Sequence, residues 1–574
     1  MSLEDEVMLL AALNAAQHGK AMQGPVMNAL LSAHPELRSE VKRVADLVGD
    51  AVTRVNEMTR DQLMAVLSQL EPLRREQEER MKEIKKKKEK EEGGSPLPAL
   101  PGAEEGSVIT RFAPNPDAPL HLGNARALVL SAEYARLYKG KFILRFEDTD
   151  PHVKPPIPEA YEWIREDVRW LGYSWDKEWV QSQHLSNYYD VVRQLIQKGA
   201  AYVCTCSAEH FQQLRRMGDA CPHRGESREE ALSLFEKMVS GGFDEGEAVV
   251  RMKTDMKLPN PALRDFPLMR VVNPKRHPHP MLKDGAWAFP LYNLSAAVDD
   301  HLLGITHVLR GKEHMTNDRA QGYIYEAMGW KQPFSVEHGR LMLEGIPLSK
   351  SQVRKALAGG VYNGWDDPRL GTLMALRRRG FSPKAIIDLM IEVGPKPTDA
   401  MISWDNLYAL NRRYLEPISR RYFVVRDPVM ISVEGLGDRV VEALLHPDHP
   451  EMGKRRIEVK GGKVFVQKDD LGGPGTVIRL MELATVKYLG EGKASLLDIG
   501  PEQSVTEGIT RVHWVPVASA LPVKVVTPDG LIDALAENNI SAEGVNSTVQ
   551  MVRWGFARVD LAEPGEFTLY FAHR

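Results

Sequence analysis

Cysteine is scarce in this chain, with three residues among 574. That is too few for a disulfide framework and fits a reducing compartment. Long apolar runs are missing as well. No stretch reaches the roughly eighteen consecutive apolar residues that a membrane-spanning helix needs. The opening segment, MSLEDEVMLLAALNAAQHGK, has neither the basic start nor the small-residue cleavage site of a secretory signal, so a cytoplasmic location is expected. The G-x-G-x-x-G fingerprint of dinucleotide folds is absent, which argues against nicotinamide or flavin binding. Nor does one sign of charge dominate. A net charge of −4 gives no global pull toward nucleic acid, although a local basic face can still bind it. What is present, 43% apolar and 26% charged residues, describes a soluble globular chain of about three to five domains.

Residues 1–92 read as a helical domain. Met8, Leu9, Ala12 and Leu13, then Val41, Val44, Ala45 and Val48, then Leu63, Val66, Leu67 and Leu70 recur at helical spacing. The mixed-charge run Arg80–Glu92 reads as a solvated helix end leading into a tether, or as a basic finger for RNA. Gly, Pro and Ser then interrupt all periodicity in a linker over 93–106. From 107 the pattern becomes α/β. Val108–Phe112 reads as a strand, Pro114 and Pro116 force a loop, and a helix runs from Leu122 to Gly140, the expected C′ residue. Lys141–Glu147 is the next strand. Such a β-loop-α-β unit implies a parallel sheet with its ligand at the carboxyl ends of the strands. We place one half of this domain at 107–203, an insertion at 204–285 and the second half at 286–345, opening with the strand Trp287–Tyr292 and followed by Ile305–Arg310. The lysine loop and a helical segment follow over 346–410, with a helical stretch expected over 373–392. Short strands such as Lys463–Gln467 and Phe567–Phe571 over 411–574 predict β-barrels.

Two short stretches carry the chemistry. His121 and Gly123 stand where strand becomes helix. Free N–H groups and the positive dipole end there suit a polyphosphate, and a missing Cβ lets a nucleotide approach the backbone. Lys350, in a loop of small residues, can bring a mobile positive charge to the same phosphates. Taken singly, His121 is as well explained as a capping histidine, and Lys350 as a surface lysine. Their order and their placement on opposite halves of one α/β domain favour a joint site.

These stretches, with Arg111-Phe-Ala-Pro-Asn-Pro116, Leu144-Arg-Phe-Glu-Asp-Thr-Asp150 and Gly304-Ile-Thr-His-Val-Leu-Arg-Gly-Lys-Glu313, resemble the motifs of the glutamyl- and glutaminyl-tRNA synthetases of class I. Arg377–Pro383 and Arg421–Pro428 extend the resemblance, which covers roughly 107–574 and is similar to the archaeal and eukaryotic glutamyl branch. It implies a multidomain α/β plus all-β fold: a Rossmann-like catalytic domain with an acceptor-binding insertion, a helical stem-contact domain, β-barrel anticodon-binding domains and an N-terminal helical extension. It implies a ligase that activates L-glutamate with ATP and Mg²⁺ and transfers it to tRNA(Glu), with tRNA(Gln) a further substrate in many archaeal-type relatives. By carry-over, Pro114, Asn115, His121, Gly123, Asn124, Ser349 and Lys350 would meet ATP, with His121 and Lys350 the catalytic pair. Arg111, Ala113, Asn115, Glu147, Tyr292 and Arg310 would meet glutamate. Arg310 would face the side-chain carboxylate, which favours glutamate over glutamine because a neutral amide leaves a guanidinium unpaired. A salt bridge from Arg310 to Glu313 or Asp300 is the structural alternative. Asn124 departs from the usual histidine, Pro347 from a frequent lysine, and Ala118 from a frequent glycine. Glutaminyl-tRNA synthetase and a non-catalytic tRNA-binding relative are the rival readings. A tRNA-independent enzyme would lack the region 411–574, where Arg412, Arg413, Arg479 and Arg553 are candidate RNA contacts. The N-terminal domain is expected to bind tRNA or another protein.

All three cysteines lie together as Cys204-Thr-Cys206 and Cys221-Pro-His223. Three thiols and an imidazole can close a tetrahedral zinc site, with His210 and His184 as weaker substitutes, while free cysteines beside a surface histidine are the alternative. A zinc knuckle in the same insertion is a feature of some glutamyl relatives.

Overall fold

The computed structural model describes residues 3–18, 20–33, 41–69, 97–345, 350–500 and 508–574. The chain divides into two compact units, Met1–Pro98 and Ala99–Arg574. Leu70, the charged run 80–92 and linker residues 93–96 lie outside the described residues.

Four helices make the first unit: α1 (Leu3–His18), α2 (Gln23–Ala33), α3 (Val41–Asn56) and α4 (Arg60–Gln69). Val44, Val48, Ala51, Val52 and Val55 form the buried stripe of α3 and share one core with Val7, Ala11 and Ala15 of α1. Ala45 was expected on that stripe and is exposed, one residue and about 100° around from Val44. Asn56 closes the end of α3 on the α1–α2 turn, accepting from Ala21 N (2.8 Å) and donating to Ala21 O (3.0 Å).

The second unit starts with the parallel strands β1 (Ile109–Phe112), β2 (Lys141–Phe146) and β3 (Lys177–Val180), paired in that order. Leu144 and Phe146 are fully buried, each contributing about 1.5–3 kcal/mol. Helix α5 (Leu122–Leu137) connects β1 to β2. Its end departs from expectation. Lys139, not Gly140, takes the left-handed conformation (φ 49°), with Lys139 N–H on Arg136 O (3.1 Å) and Gly140 N–H on Ala135 O (2.8 Å). Glycine is required at 140 for a different reason: a Cβ there would stand 1.9 Å from the Val108 carbonyl oxygen.

Between the halves, β4 (Ala201–Cys204), β5 (Val249–Met252), β6 (Pro267–Val271) and β7 (Ala288–Pro290) form an antiparallel sheet in sequential order. The run 287–292 was expected to reopen the parallel domain. It instead supplies the last strand of this sheet, because an apolar run shows burial but not its pairing partner. The parallel pattern resumes through α6 (Tyr292–Leu302), β8 (His307–Gly311), α7 (Met315–Met328) and β9 (Phe334–His338), with β8 and β9 parallel. Thr306 seats β8 beside β1: its N–H donates to Ile109 O (2.9 Å) and its Oγ1 accepts from Ile109 N (2.8 Å). β1 and β8 thus lie side by side, and in sheets of this kind the ligand lies beyond the carboxyl ends of the strands.

Helices α8 (Lys350–Ala358), α9 (Leu373–Arg379), α10 (Pro383–Val393) and α11 (Trp404–Leu415) follow. The helical stretch expected over 373–392 is made of two helices, since Gly380 turns left-handed (φ 90°) and Pro383 opens the next helix. Two seven-stranded, barrel-like mixed sheets complete the unit. One takes its strands from 428–516. The other joins Arg420–Tyr422 and Val424–Arg426 to strands from 520–573, so the first sheet is inserted within the second. Arg479, an expected RNA contact, is 1% exposed and donates to Gly500 O (2.9 Å), a structural placement. Arg553 is held by Asp470 (2.7 and 2.8 Å), Arg412 donates to the Arg574 carbonyl, and Arg413 is exposed.

Candidate active site

The loop after β1 is stiffened by Pro114, Pro116 and Pro119 and delivers His121 as the N-cap of α5 (φ −119°, ψ 169°). A strand-like bridge to Thr372 holds it there, flanked by Leu122 N–H to Gly371 O (3.0 Å) and Leu373 N–H to Leu120 O (2.9 Å). Asn124 turns its side-chain oxygen back to accept from His121 N (3.1 Å), so the departure from histidine serves the cap. Gly123 also makes room for the histidine. A Cβ there would lie 2.9 Å from Cε1 and 3.0 Å from Nδ1 of His121, so the imidazole occupies the space over the glycine. His121 Nδ1 is buried without a partner among the described residues, and burial, aided by the charge of Lys350, lowers its pKa to about 4. The ring is neutral at pH 7 and retains one N–H to donate.

Lys350 opens α8 and reaches the same loop. Its Nζ donates to Asp117 Oδ1 (2.8 Å) and lies 3.4 Å from Asn115 O. Both motifs therefore meet, and His121, Lys350, Trp365 and Thr372 line one small cavity. Asn115 Oδ1 is buried without a partner among the described residues, while Pro114 O accepts from Glu147 N (3.0 Å). Ser349 and Pro347 lie outside the described residues.

At the carboxyl ends of β1, β2 and β8 stands a network of buried charges. Arg111 pairs with Asp300 (Nε–Oδ1 3.2 Å), and Arg145 bridges Asp300 (2.6 Å) to Glu147 (2.8 Å). Arg145 is 0% and Asp300 2% exposed, which makes this an internal scaffold. Burial opposes the ionised form of Asp300, yet the two guanidinium groups hold its carboxyl below the usual range. Arg310 donates to Gln321 (3.1 Å) and to Asp318, with its Nε buried and unpartnered. Its salt bridge is thus to Asp318, not to Glu313 or Asp300. Burial first, then Glu147, raises the Tyr292 pKa, opposed by Arg111 and Arg310; these four side chains share one electrostatic environment. Ala113 lies half-buried in the same loop. His314, its ring 5.2 Å from that of Tyr292, is lowered in pKa by burial and then by Arg310. Sequence reasoning passed over Asp117, Arg145, His314, Asp318 and Gln321, and weighed Asp300 only as a partner of Arg310 rather than of Arg111 and Arg145. Arg145 sits inside a quoted motif, and alternation along β2 was the available signal.

Cys204, Cys206, Cys221 and His223 come together at the edge of the insertion. Cys221 Sγ is 3.5 Å from both other sulfurs and 3.2 Å from His223 Nδ1. Their ligand atoms all lie within 4.8 Å of one another. His223 Nε2 meets Thr205 Oγ1 (2.7 Å), leaving Nδ1 toward the sulfurs, the outer support a metal-bound histidine needs. The hydrogen bond from Cys221 chiefly lowers the Cys204 thiol, to about 5. His152, Glu245 and His277 form a second close group, with the two rings stacked at 4.2 Å. His210 and His184 stand apart from the four-membered cluster, His184 stacking on Trp179 at 3.6 Å.

A divided parallel α/β sheet, a histidine–glycine helix start and a lysine brought across the same loop define a nucleotide-using catalytic domain of the class I synthetase kind. The family described as class I tRNA synthetases (E and Q) matches through its catalytic domain over residues 107–417 and through its anticodon-binding domain over 419–495. A glutamate–tRNA ligase of Thermococcus onnurineus is 47% identical over 585 residues, covering 100% of both chains. That of Thermococcus kodakarensis is 46% identical over 582 residues, with the same full coverage. A solved glutamate tRNA ligase from Elizabethkingia meningosepticum, in complex with its amino acid, covers 55% of this chain and 70% of its own at 24% identity, with a TM-score of 0.40. The chain belongs to the glutamate and glutamine class I tRNA synthetases.

Proposed function

We infer that the protein is a glutamate–tRNA ligase. The observation that carries this beyond the family is Arg310, buried beside Tyr292 and Arg111 with one N–H unspent. A glutamate side-chain carboxylate supplies an acceptor for that remaining N–H beside the Asp318 and Gln321 contacts, and Glu147 offers the matching charge for the α-ammonium. Ala113 and Asn115 line the approach from the β1 loop. The substrate α-carboxylate oxygen then attacks the α-phosphorus of ATP. That bond forms as the bond to the bridging oxygen breaks, and pyrophosphate leaves. Neutral His121 donates to a phosphoryl oxygen, and Lys350 meets the outer phosphates together with Ser349. Pro114, Gly123 and Asn124 shape the surface on which the nucleotide lies. Mg²⁺ enters with the ATP as part of the substrate. In the second step a terminal ribose hydroxyl of tRNA attacks the acyl carbon and AMP departs. Positioning and charge stabilisation supply the rate, with no protein nucleophile.

Zn²⁺ fits the donor set Cys204, Cys206, Cys221 and His223, where it would cross-link the insertion without taking part in the reaction. The function is tested by pyrophosphate exchange and charging with glutamate and glutamine on separated tRNA(Glu) and tRNA(Gln). Glutamate should be preferred by about tenfold or more, because its carboxylate accepts a charge-assisted hydrogen bond from the remaining Arg310 N–H more strongly than a neutral amide does. His121→Ala and Lys350→Ala should each lower exchange by about a hundredfold. Exchange supported equally by glutamine would refute the substrate assignment, and charging of tRNA(Gln) reads the breadth of the anticodon region.

A further inference from the structure

Asp117 lies in the β1 loop between Pro116 and Ala118, and its side chain is 12% exposed. Two cations converge on it from α8. Lys350 Nζ is 2.8 Å from Oδ1, while Arg354 Nη2 donates to the Asp117 main-chain oxygen (2.6 Å) and lies 3.6 Å from Oδ2. Lys350 is also the first residue of its helix, at the positive end of the dipole, where a cation is poorly placed without an anion beside it. Lys350 therefore rests on protein, at the mouth of the loop whose helix start faces the phosphates.

We propose that Asp117 is a positioning residue that latches Lys350 before ATP binds and competes with the phosphates for its ammonium, Arg354 remaining as the counter-charge of Asp117 once Lys350 has left. This rests on the reading of Lys350 as the phosphate-binding lysine. The exchange is balanced in charge. Before ATP, one carboxylate faces two cations; afterwards, it keeps one and the nucleotide gains the other. Only molecules with Lys350 released are ready for ATP, so the apparent affinity is reduced by the latched fraction. A partly buried ion pair of this geometry corresponds to about a three- to tenfold effect.

The two flanking substitutions have opposite signs. Asp117→Asn removes the competitor, and the KM for ATP in pyrophosphate exchange should fall about three- to tenfold while the KM for glutamate stays unchanged. Arg354→Gln removes the counter-charge left behind, so Asp117 holds Lys350 more tightly and the KM for ATP should rise by a similar factor. In the double variant, Arg354→Gln should no longer matter. A purely structural Asp117 would not tighten ATP binding, so an unchanged or raised KM in Asp117→Asn overturns the latch. If Arg354→Gln still raises the KM for ATP in the Asp117→Asn background, Arg354 contacts the nucleotide itself and the latch is again overturned. Should Asp117→Asn fail to fold, Asp117→Ser takes its place in both tests, and an unchanged or lowered KM for ATP in Arg354→Gln, at a half-exposed side chain, overturns the latch by itself. Full exchange activity in Lys350→Ala is a different result, since it would dismiss the catalytic assignment on which the latch stands.

Discussion

Asp167 shows how one side chain ties the catalytic loop to pH. It is fully buried, one oxygen accepts from Leu120 N (3.3 Å), and the other has no partner among the described residues. Burial raises its pKa to about 7. The folded protein thus keeps a proton on this carboxyl up to about pH 7, whereas the unfolded chain releases it near 4. Between those values the native state binds more protons, so raising the pH through that window removes stability, and none further is lost above it. Asp167→Asn keeps the acceptor and drops the charge. Its stability relative to wild type should increase by on the order of 2–4 kcal/mol between pH 4 and 8, measured by urea unfolding at both values. A constant difference across that range would refute the burial argument. Legibility at this scale was uneven. His121 and Lys350 could be picked out from their places at a helix start and in a loop of small residues, and Arg111, Glu147, Tyr292 and Arg310 only through the family resemblance. Their partners Asp117, Asp300 and Asp318 could not, because a carboxylate looks alike in sequence whether it is solvated or clamped between two arginines.

Among the elements, period and punctuation were readable where the local chain decides the outcome. The strands Ile109–Phe112 and Lys141–Phe146, the helix beginning at Leu122 and the strand Lys463–Gln467 follow from alternation, proline and apolar spacing. Where the outcome depends on a distant partner, the reading failed. The pairing of Ala288–Pro290 is set by Met269–Val271, and the glycine at 140 by a carbonyl on another strand. The cysteine cluster is intermediate: its spacing was legible, whereas Thr205 as the support of His223 was not. If zinc closes that cluster, protein purified without chelator should hold about one zinc per chain. Its removal should lower the melting temperature of the insertion, which Cys221→Ser should reproduce. A chain that folds with no bound metal and is unaffected by chelation would reject the site.

Across the whole catalytic unit, the last strand is stitched to the helical layer by Arg379. This residue is 2% exposed and has no carboxylate partner among the described residues. It donates to Ala572 O (2.5 Å) and Phe571 O (3.3 Å), and its guanidinium lies 5.1 Å from the Trp404 ring. Arg379→Met keeps most of the packing but strands two strand carbonyls, and should cost about 2–4 kcal/mol. Thermal unfolding should then show the β region melting earlier than the catalytic domain; a single transition at the wild-type temperature would refute the coupling.

The nesting of one seven-stranded sheet inside the other has a consequence for biosynthesis. A ribosome delivers Arg420–Arg426 well before the strands at 520–573 that must flank them, at about 5–20 residues per second. For roughly ten seconds the early strands are nascent chain without their neighbours, while the inserted sheet between them can already fold. Translation thus imposes an order of assembly, inner sheet first and outer sheet last, and the outer sheet is sealed only once residues 520–573 have emerged.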